Sequence, residues 1–171
     1  DTSVKILADY IPQLKLAYYF ASAAHAAVKQ LRKYTNEPYF THPESVANKL
    51  IQLVPAGSLE IEMLQAALLH DVEEDTGVDN ELVVRMFGQT VGQYVSQLSK
   101  VTTPEMGSRQ YRHNLEVRRL ALCGWQVQTI KTCDLLDNAE SIVENDPEFA
   151  KIYLSEKADT LDALGEMARV F

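Results

Sequence analysis

A single all-α domain is the fold this sequence predicts, and three observations predict it. The chain is dominated by good helix formers, most plainly from Ile11 to about Lys33, where Ala, Leu and Lys recur. Helix start and stop signals follow one another along its length. No segment sustains the period-two alternation of a half-buried strand. The 171 residues suit one domain, 1–171, with enough chain to bury a hydrophobic core.

Taken in order, the first helix runs from Ile11 to about Lys33. The stretch YTNEPYFT, from Tyr34 to Thr41, then breaks the pattern with turn residues and a proline. Pro43 fits the first turn of a second helix through Val46, Leu50 and Val54, which Pro55 and Gly57 terminate. Ser58 is the predicted N-cap of a third helix, from Leu59 to about Val72. Asp79 or Asn80 caps a short fourth helix ending near Phe87 and Gly88, and a fifth covers Val91 to Ser99. TTPEMGS, from Thr102 to Ser108, reads as a mobile loop. Helices fill the remainder from Arg109 to Leu122, Gln126 to Val143, and Pro147 to Val170, the last announced by Asn145 or Asp146 ahead of Pro147.

Composition removes several function classes. Hydrophobic residues make up 46% of the chain and charged ones 23%, ordinary values for a soluble globular protein. A formal net charge of -8 repels a polyphosphate backbone, so stable nucleic-acid binding is disfavoured. A compact anion remains acceptable where a metal or a local basic cluster receives it. No apolar run approaches the roughly 18 residues that cross a membrane, and no signal peptide precedes the first helix. Cys123 and Cys133 lack zinc-site spacing; they read as free buried thiols and point to a reducing cytoplasm. Oligomeric state leaves no mark on the sequence.

The richest chemistry lies in AALLHDVEEDT, from Ala66 to Thr76. An apolar run ends in His70 and Asp71, followed by Glu73, Glu74 and Asp75. Helical spacing places His70 and Glu74 on one face with Asp71 and Asp75 alongside. Carboxylates crowded at the end of a buried helix are costly unless protons or a cation compensate. A solvated acidic helix end is the bland alternative, and the Ala-Leu-Leu run before His70 argues for a buried edge instead. His42, in YFTHPES, stands at a helix start, where a lone His is ordinarily a cap or surface residue. Asp134, in QTIKTCDLLDNAES, lies near an apolar face beside Ile130 and Cys133, with Asn138 one turn later. A mixed set of imidazole and carboxylate donors suits Mn, Fe or Zn.

These blocks resemble the HD-type hydrolase domain of the Rel/Spo alarmone enzymes, most of all the stand-alone small alarmone hydrolases that include the metazoan SpoT-like enzyme. The likeness runs from about Ala17 to Ser141 and is carried by RKYTNEPYFTHPESVA, AALLHDVEEDT, FGQTVGQYVSQLSKVT and IKTCDLLDN, in that order. It implies an HD-domain helical bundle with metal ligands His42, His70, Asp71 and Asp134. It implies Glu74 and Asp75 as the acidic pair beside the attacking water. Arg32 and Lys33 are implied near the base and phosphates, Asn138 near the ribose, and Ser141 close by. His25 is not a ligand in this pattern and reads as a packing or surface residue. The expected cofactor is one divalent ion, Mn2+.

The activity so implied is removal of the 3′-pyrophosphate from guanosine alarmones, ppGpp or pppGpp, giving GDP or GTP and pyrophosphate. Other HD nucleotide hydrolases, a 5′-deoxynucleotidase or an NADPH phosphatase, stay open at this point, as does a non-catalytic nucleotide-binding module. The chain ends at Phe171 with no synthetase domain after it, so one-way removal of the signal is expected. Two departures stand out. Tyr34, Thr35 and Asn36 replace the family's short Ser-Gly turn, and Leu135 replaces a basic residue after the last metal Asp. Lys100, Arg109 and Arg112 are the candidates to supply that missing charge.

Overall fold

Helix-start chemistry and apolar periodicity do produce an all-helical chain, with differences at the element ends. The structure, a computed structural model, describes residues 2–168. Its elements are α1 (Val4–Tyr10), α2 (Pro12–Ala27), α3 (Thr41–Leu53), α4 (Ile61–Leu69), α5 (Val72–Thr76), α6 (Asn80–Phe87), α7 (Gln89–Leu98), α8 (Arg109–Ala121), α9 (Trp125–Asn145) and α10 (Pro147–Ala168). A 3-10 turn at Pro104–Met106 lies within the predicted loop. Among the described residues the sole β pairing is an isolated antiparallel bridge between Leu31 and Pro38. The part of the last predicted helix beyond Ala168 lies outside the described residues.

Four expectations need correction. The short α1, capped by the Ser3 hydroxyl accepting from the Ile6 N–H at 3.3 Å, had no predicted counterpart. The helix expected to reach Lys33 stops at Ala27. There Lys29 takes a left-handed conformation at φ 55°, which turns the chain so that Tyr39 N–H donates to Gln30 O and Arg32 N–H to Glu37 O. Helical propensity gave way to these longer-range pairings. The third predicted helix begins at Ile61, with Glu60 rather than Ser58 at the N-cap. It also breaks at His70 and Asp71, and the acidic residues continue on the separate helix α5, which Gly77 closes at φ 78°. Elsewhere the signals hold. Asp79 accepts from Leu82 N–H at 2.9 Å, and Asp146 accepts from Phe149 N–H at 3.2 Å.

The core is organised around α4. Every residue from Met63 to Leu69 is buried, and the helix is surrounded by α2, α3, α7 and α9. Gln65, the one polar residue in that run, donates to Gln13 O at 3.2 Å. Leu64, Leu68 and Leu69 are almost fully enclosed, so truncating one to Ala costs about 2–5 kcal/mol. α9 crosses the other side, packing on α3, α4, α7 and α10. At Gly92 a Cβ would run into the Val84 side chain, which is how α6 and α7 approach so closely. Both cysteines are free and buried, as expected. No described helix is long and apolar enough to cross a membrane.

Candidate active site

Because α4 is buried along its length, its C-terminal end delivers His70 and Asp71 into the interior rather than to solvent. The first turn of α3 brings His42 to the same point, and α9 brings Asp134. The ligand atoms of His42, His70 and Asp71 lie within 4.8 Å of one another, a grouping that can hold a metal ion. Asp134 Oδ1 stands 2.8 Å from His42 Nε2 and 3.3 Å from His70 Nε2. Asp71 Oδ2 stands 3.0 Å from His70 Nε2. His42 is therefore neither cap nor surface residue; it is buried within the helix's first turn.

Hydrogen bonding fixes which way the imidazoles face. His70 Nδ1–H donates to Ala67 O at 2.7 Å, and His42 Nδ1–H donates to Asp137 Oδ2 at 2.6 Å. In the neutral rings each Nε2 is then a lone pair directed at carboxylate oxygens. His70 Nε2 is buried without a hydrogen bond. Lone pairs converging on anions require a cation or protons between them. The titration behaviour reflects this. Burial depresses both histidines, yet the surrounding carboxylates overcome it and raise them above the ordinary range, His70 strongly. Burial raises Asp71 and Asp134, but His70 brings Asp71 down to about 2, and Lys131 with the histidines holds Asp134 well below its usual value. Two imidazole nitrogens and two carboxylates around an orphaned, buried nitrogen fit a divalent ion.

Residues behind this cluster were missing from the sequence reading. Asp137 is buried and accepts from His42, from Ser45 Oγ at 2.5 Å, from Lys49 Nζ at 3.2 Å and from Arg32 Nη2 at 3.2 Å. Despite burial, these donors keep its carboxyl far below the carboxylate range. Tyr39 O–H donates to Asp71 Oδ2 at 2.5 Å. Lys131 donates to Asp134 Oδ2 at 2.9 Å and leaves Oδ1 facing the histidines. Only Asp137 and Lys131 had a readable signal, each lying one helical turn from Asp134.

Glu74 and Asp75 sit on α5, which starts directly after Asp71 at its N-cap. Glu74 accepts from the Lys100 backbone N–H, and Asp75 accepts from Gln30 Nε2 at 3.1 Å. Partial burial, with the charge of Asp71 added, lifts both carboxyls above their ordinary values. His25 is buried rather than exposed, and its Nδ1–H donates to Gln30 Oε1 at 2.8 Å.

Arg32 is tied to Asp137 and so braces His42 from behind. The Lys33 ammonium lies 5.4 Å from the Tyr34 ring centre and 5.8 Å from that of Phe149. Asn138 Nδ2 donates weakly to Asp134 Oδ1 at 3.4 Å. Ser141 lies two turns beyond Asp134 on the same face of α9, with its carbonyl accepting from Asn145 and no bond to the cluster. Lys100 and Arg112 line a cleft beside the site, and Arg109 bridges to Glu156 at 2.6 Å.

The HD domain family model matches residues 17–161. This chain belongs to the HD domain family. Within that family it is 33% identical over 141 residues to the guanosine-3′,5′-bis(diphosphate) 3′-pyrophosphohydrolase of Aquifex aeolicus, covering 81% of this chain and 19% of that protein. It is 33% identical over 137 residues to the bifunctional (p)ppGpp synthase/hydrolase SpoT of Escherichia coli, covering 78% of this chain and 18% of that one. The chain thus spans about a fifth of the length of these relatives. A solved metazoan ortholog of SpoT, described as hydrolysing ppGpp and acting in starvation responses, superposes with a TM-score of 0.76 at 28% identity. The match covers 89% of this HD domain and 85% of that chain.

Proposed function

We propose that this HD domain hydrolyses guanosine 3′,5′-bis(diphosphate) to GDP and pyrophosphate with one divalent ion, Mn2+. The observation that carries the reading is the convergence of His42 Nε2, His70 Nε2, Asp71 and Asp134 beside a raised carboxyl pair. The relatives and the solved metazoan ortholog named for this chemistry support it. When bound, the ion supplies Lewis acidity that makes water a nucleophile near neutral pH and offsets phosphate charge.

The chain's own groups do the rest. Glu74 or Asp75 accepts the proton of the attacking water, a task suited to a carboxyl lifted above its usual range. The water oxygen bonds to the 3′-proximal phosphorus, the bond to the ribose 3′-oxygen breaks, that oxygen takes up the proton from the protonated carboxyl or from solvent, and pyrophosphate leaves intact. Lys33 with the Phe149 ring forms a wall for the base, and Arg32 borders it while bracing Asp137. Asn138, in contact with Tyr153, addresses the ribose, with Ser141 at the far end of the same face.

Product chromatography tests this. Pyrophosphate and GDP are expected from the tetraphosphate, with little action on deoxynucleoside monophosphates. Orthophosphate from deoxynucleotides, with the tetraphosphate surviving, would overturn the substrate assignment and leave a nucleotidase of the same metal class.

A further inference from the structure

We propose that the cleft between α8 and α10 is a second anion subsite that takes a diphosphate group of the nucleotide, recognised by Lys157, Lys100 and Arg112. The nucleotide's identity rests on the function proposed above; the existence of the subsite does not.

The cleft encloses about 760 Å³ and adjoins the metal cluster, since Lys131 lines it while holding Asp134. Its charge is opposite to that of the whole chain. Among the described residues, six Lys or Arg side chains line it against two Glu, in a molecule with a formal net charge of -8. Three of the six are neutralised locally: Arg109 by Glu156, Arg119 by Glu116 and Lys131 by Asp134. Lys100, Arg112 and Lys157 have no ion-pair partner among the described residues. Lys157 is half-buried, and it is held below the usual lysine range by burial and then by the charges of Lys131 and Lys100. Cations converging in a partly dehydrated cleft are unfavourable until an anion joins them.

The spacing along α10 gives the direction of the ligand. Phe149, Tyr153 and Lys157 recur every fourth residue on one face. The Phe149 and Tyr153 rings are 6.4 Å apart, and the Lys157 ammonium lies 5.7 Å from the Tyr153 ring centre. A nucleotide whose base meets Lys33 and Phe149 and whose sugar passes Tyr153 brings its charged end to Lys157. That end is either the 5′-diphosphate or the pyrophosphate leaving from the 3′ position, and both present the same chemistry.

Calorimetric titration of the full chain separates these sources. Wild type, Lys157→Ala and Lys157→Met are titrated with GDP, GMP and inorganic pyrophosphate. The Met variant keeps the stem over Tyr153, so it reads the charge alone if the Ala variant folds poorly. Loss of the GDP-over-GMP preference by about tenfold or more places the 5′-diphosphate in the cleft. A similar loss confined to inorganic pyrophosphate places the leaving group there. Lys151→Ala, on an exposed part of α10, is expected to change neither. Unaltered affinity for both GDP and pyrophosphate in the Lys157 variants overturns the proposal. Reduced diphosphate binding in a protein that does not hydrolyse the tetraphosphate would retain the subsite and remove only the substrate assignment.

Discussion

Replacing Asp137 by Asn is expected to weaken metal binding although Asp137 does not face the metal cluster. The carboxylate receives the His42 Nδ1–H at 2.6 Å and thereby fixes the tautomer that leaves Nε2 free to ligate. An amide oxygen can accept the same proton, but without the charge that makes His42 a stronger donor to a cation. Changes to partners of this kind lower metal affinity or activity about 10–100-fold, which corresponds to about 1.4–2.7 kcal/mol. The substitution also strands Arg32, whereas Lys49 keeps Glu140 at 3.1 Å, so a further loss of about 1–3 kcal/mol in folding stability is expected. Competition of Mn2+ against a chromophoric chelator reads the affinity, and turnover at saturating Mn2+ reads the remainder. Recovery of most of the turnover at high metal fits the argument. Unchanged metal affinity with collapsed turnover would refute it and put Asp137 in contact with substrate.

Other expectations follow from the same structure. Glu74→Gln and Asp75→Asn should keep their metal while turnover falls, by about 10²–10⁴-fold for whichever is the base. Because that base must be deprotonated and its carboxyl is raised, kcat/KM should fall, as pH drops, through a value above the ordinary carboxylate pKa of about 4. An acid limb at or below 4 would contradict it. Glu116 anchors the loop after α7 by accepting from Val101 N–H, Thr102 N–H, Thr102 Oγ1 and Arg119, and these donors lower its pKa despite burial. A depressed folded pKa gives stability that is present above the unfolded value and lost as pH falls through the folded one. Thermal melts should therefore show Glu116→Gln least stable relative to wild type near neutral pH, with the gap closing in acid; a constant gap would count against this.

The site's geometry was legible where it is written locally. Ala66 to Asp75 announces a buried helix ending in imidazole and carboxylate donors, because burial and donors are adjacent in sequence. His42 and Asp134 needed the four blocks in order, since each is unremarkable alone. What sequence hid are roles defined by partners far along the chain. Asp137 matters through His42, 95 positions away, and Tyr39 through Asp71, 32 away. Leu135 does leave the position after Asp134 without a charge, and Lys131, one turn earlier on α9, is itself paired with Asp134. The over-long first helix has a similar origin: Ala and Lys favour continuation, whereas the pairing of Gln30 and Arg32 with Tyr39 and Glu37 requires the turn at Lys29.

The most direct test is a single reconstitution. The protein is stripped with chelator, supplied with Mn2+ at one equivalent per chain, and given guanosine 3′,5′-bis(diphosphate), with pyrophosphate and orthophosphate measured separately. No product is expected from the stripped protein, and stoichiometric pyrophosphate with GDP is expected after re-addition. Full pyrophosphate release without metal, or orthophosphate in its place after Mn2+ is restored, would contradict the proposed function.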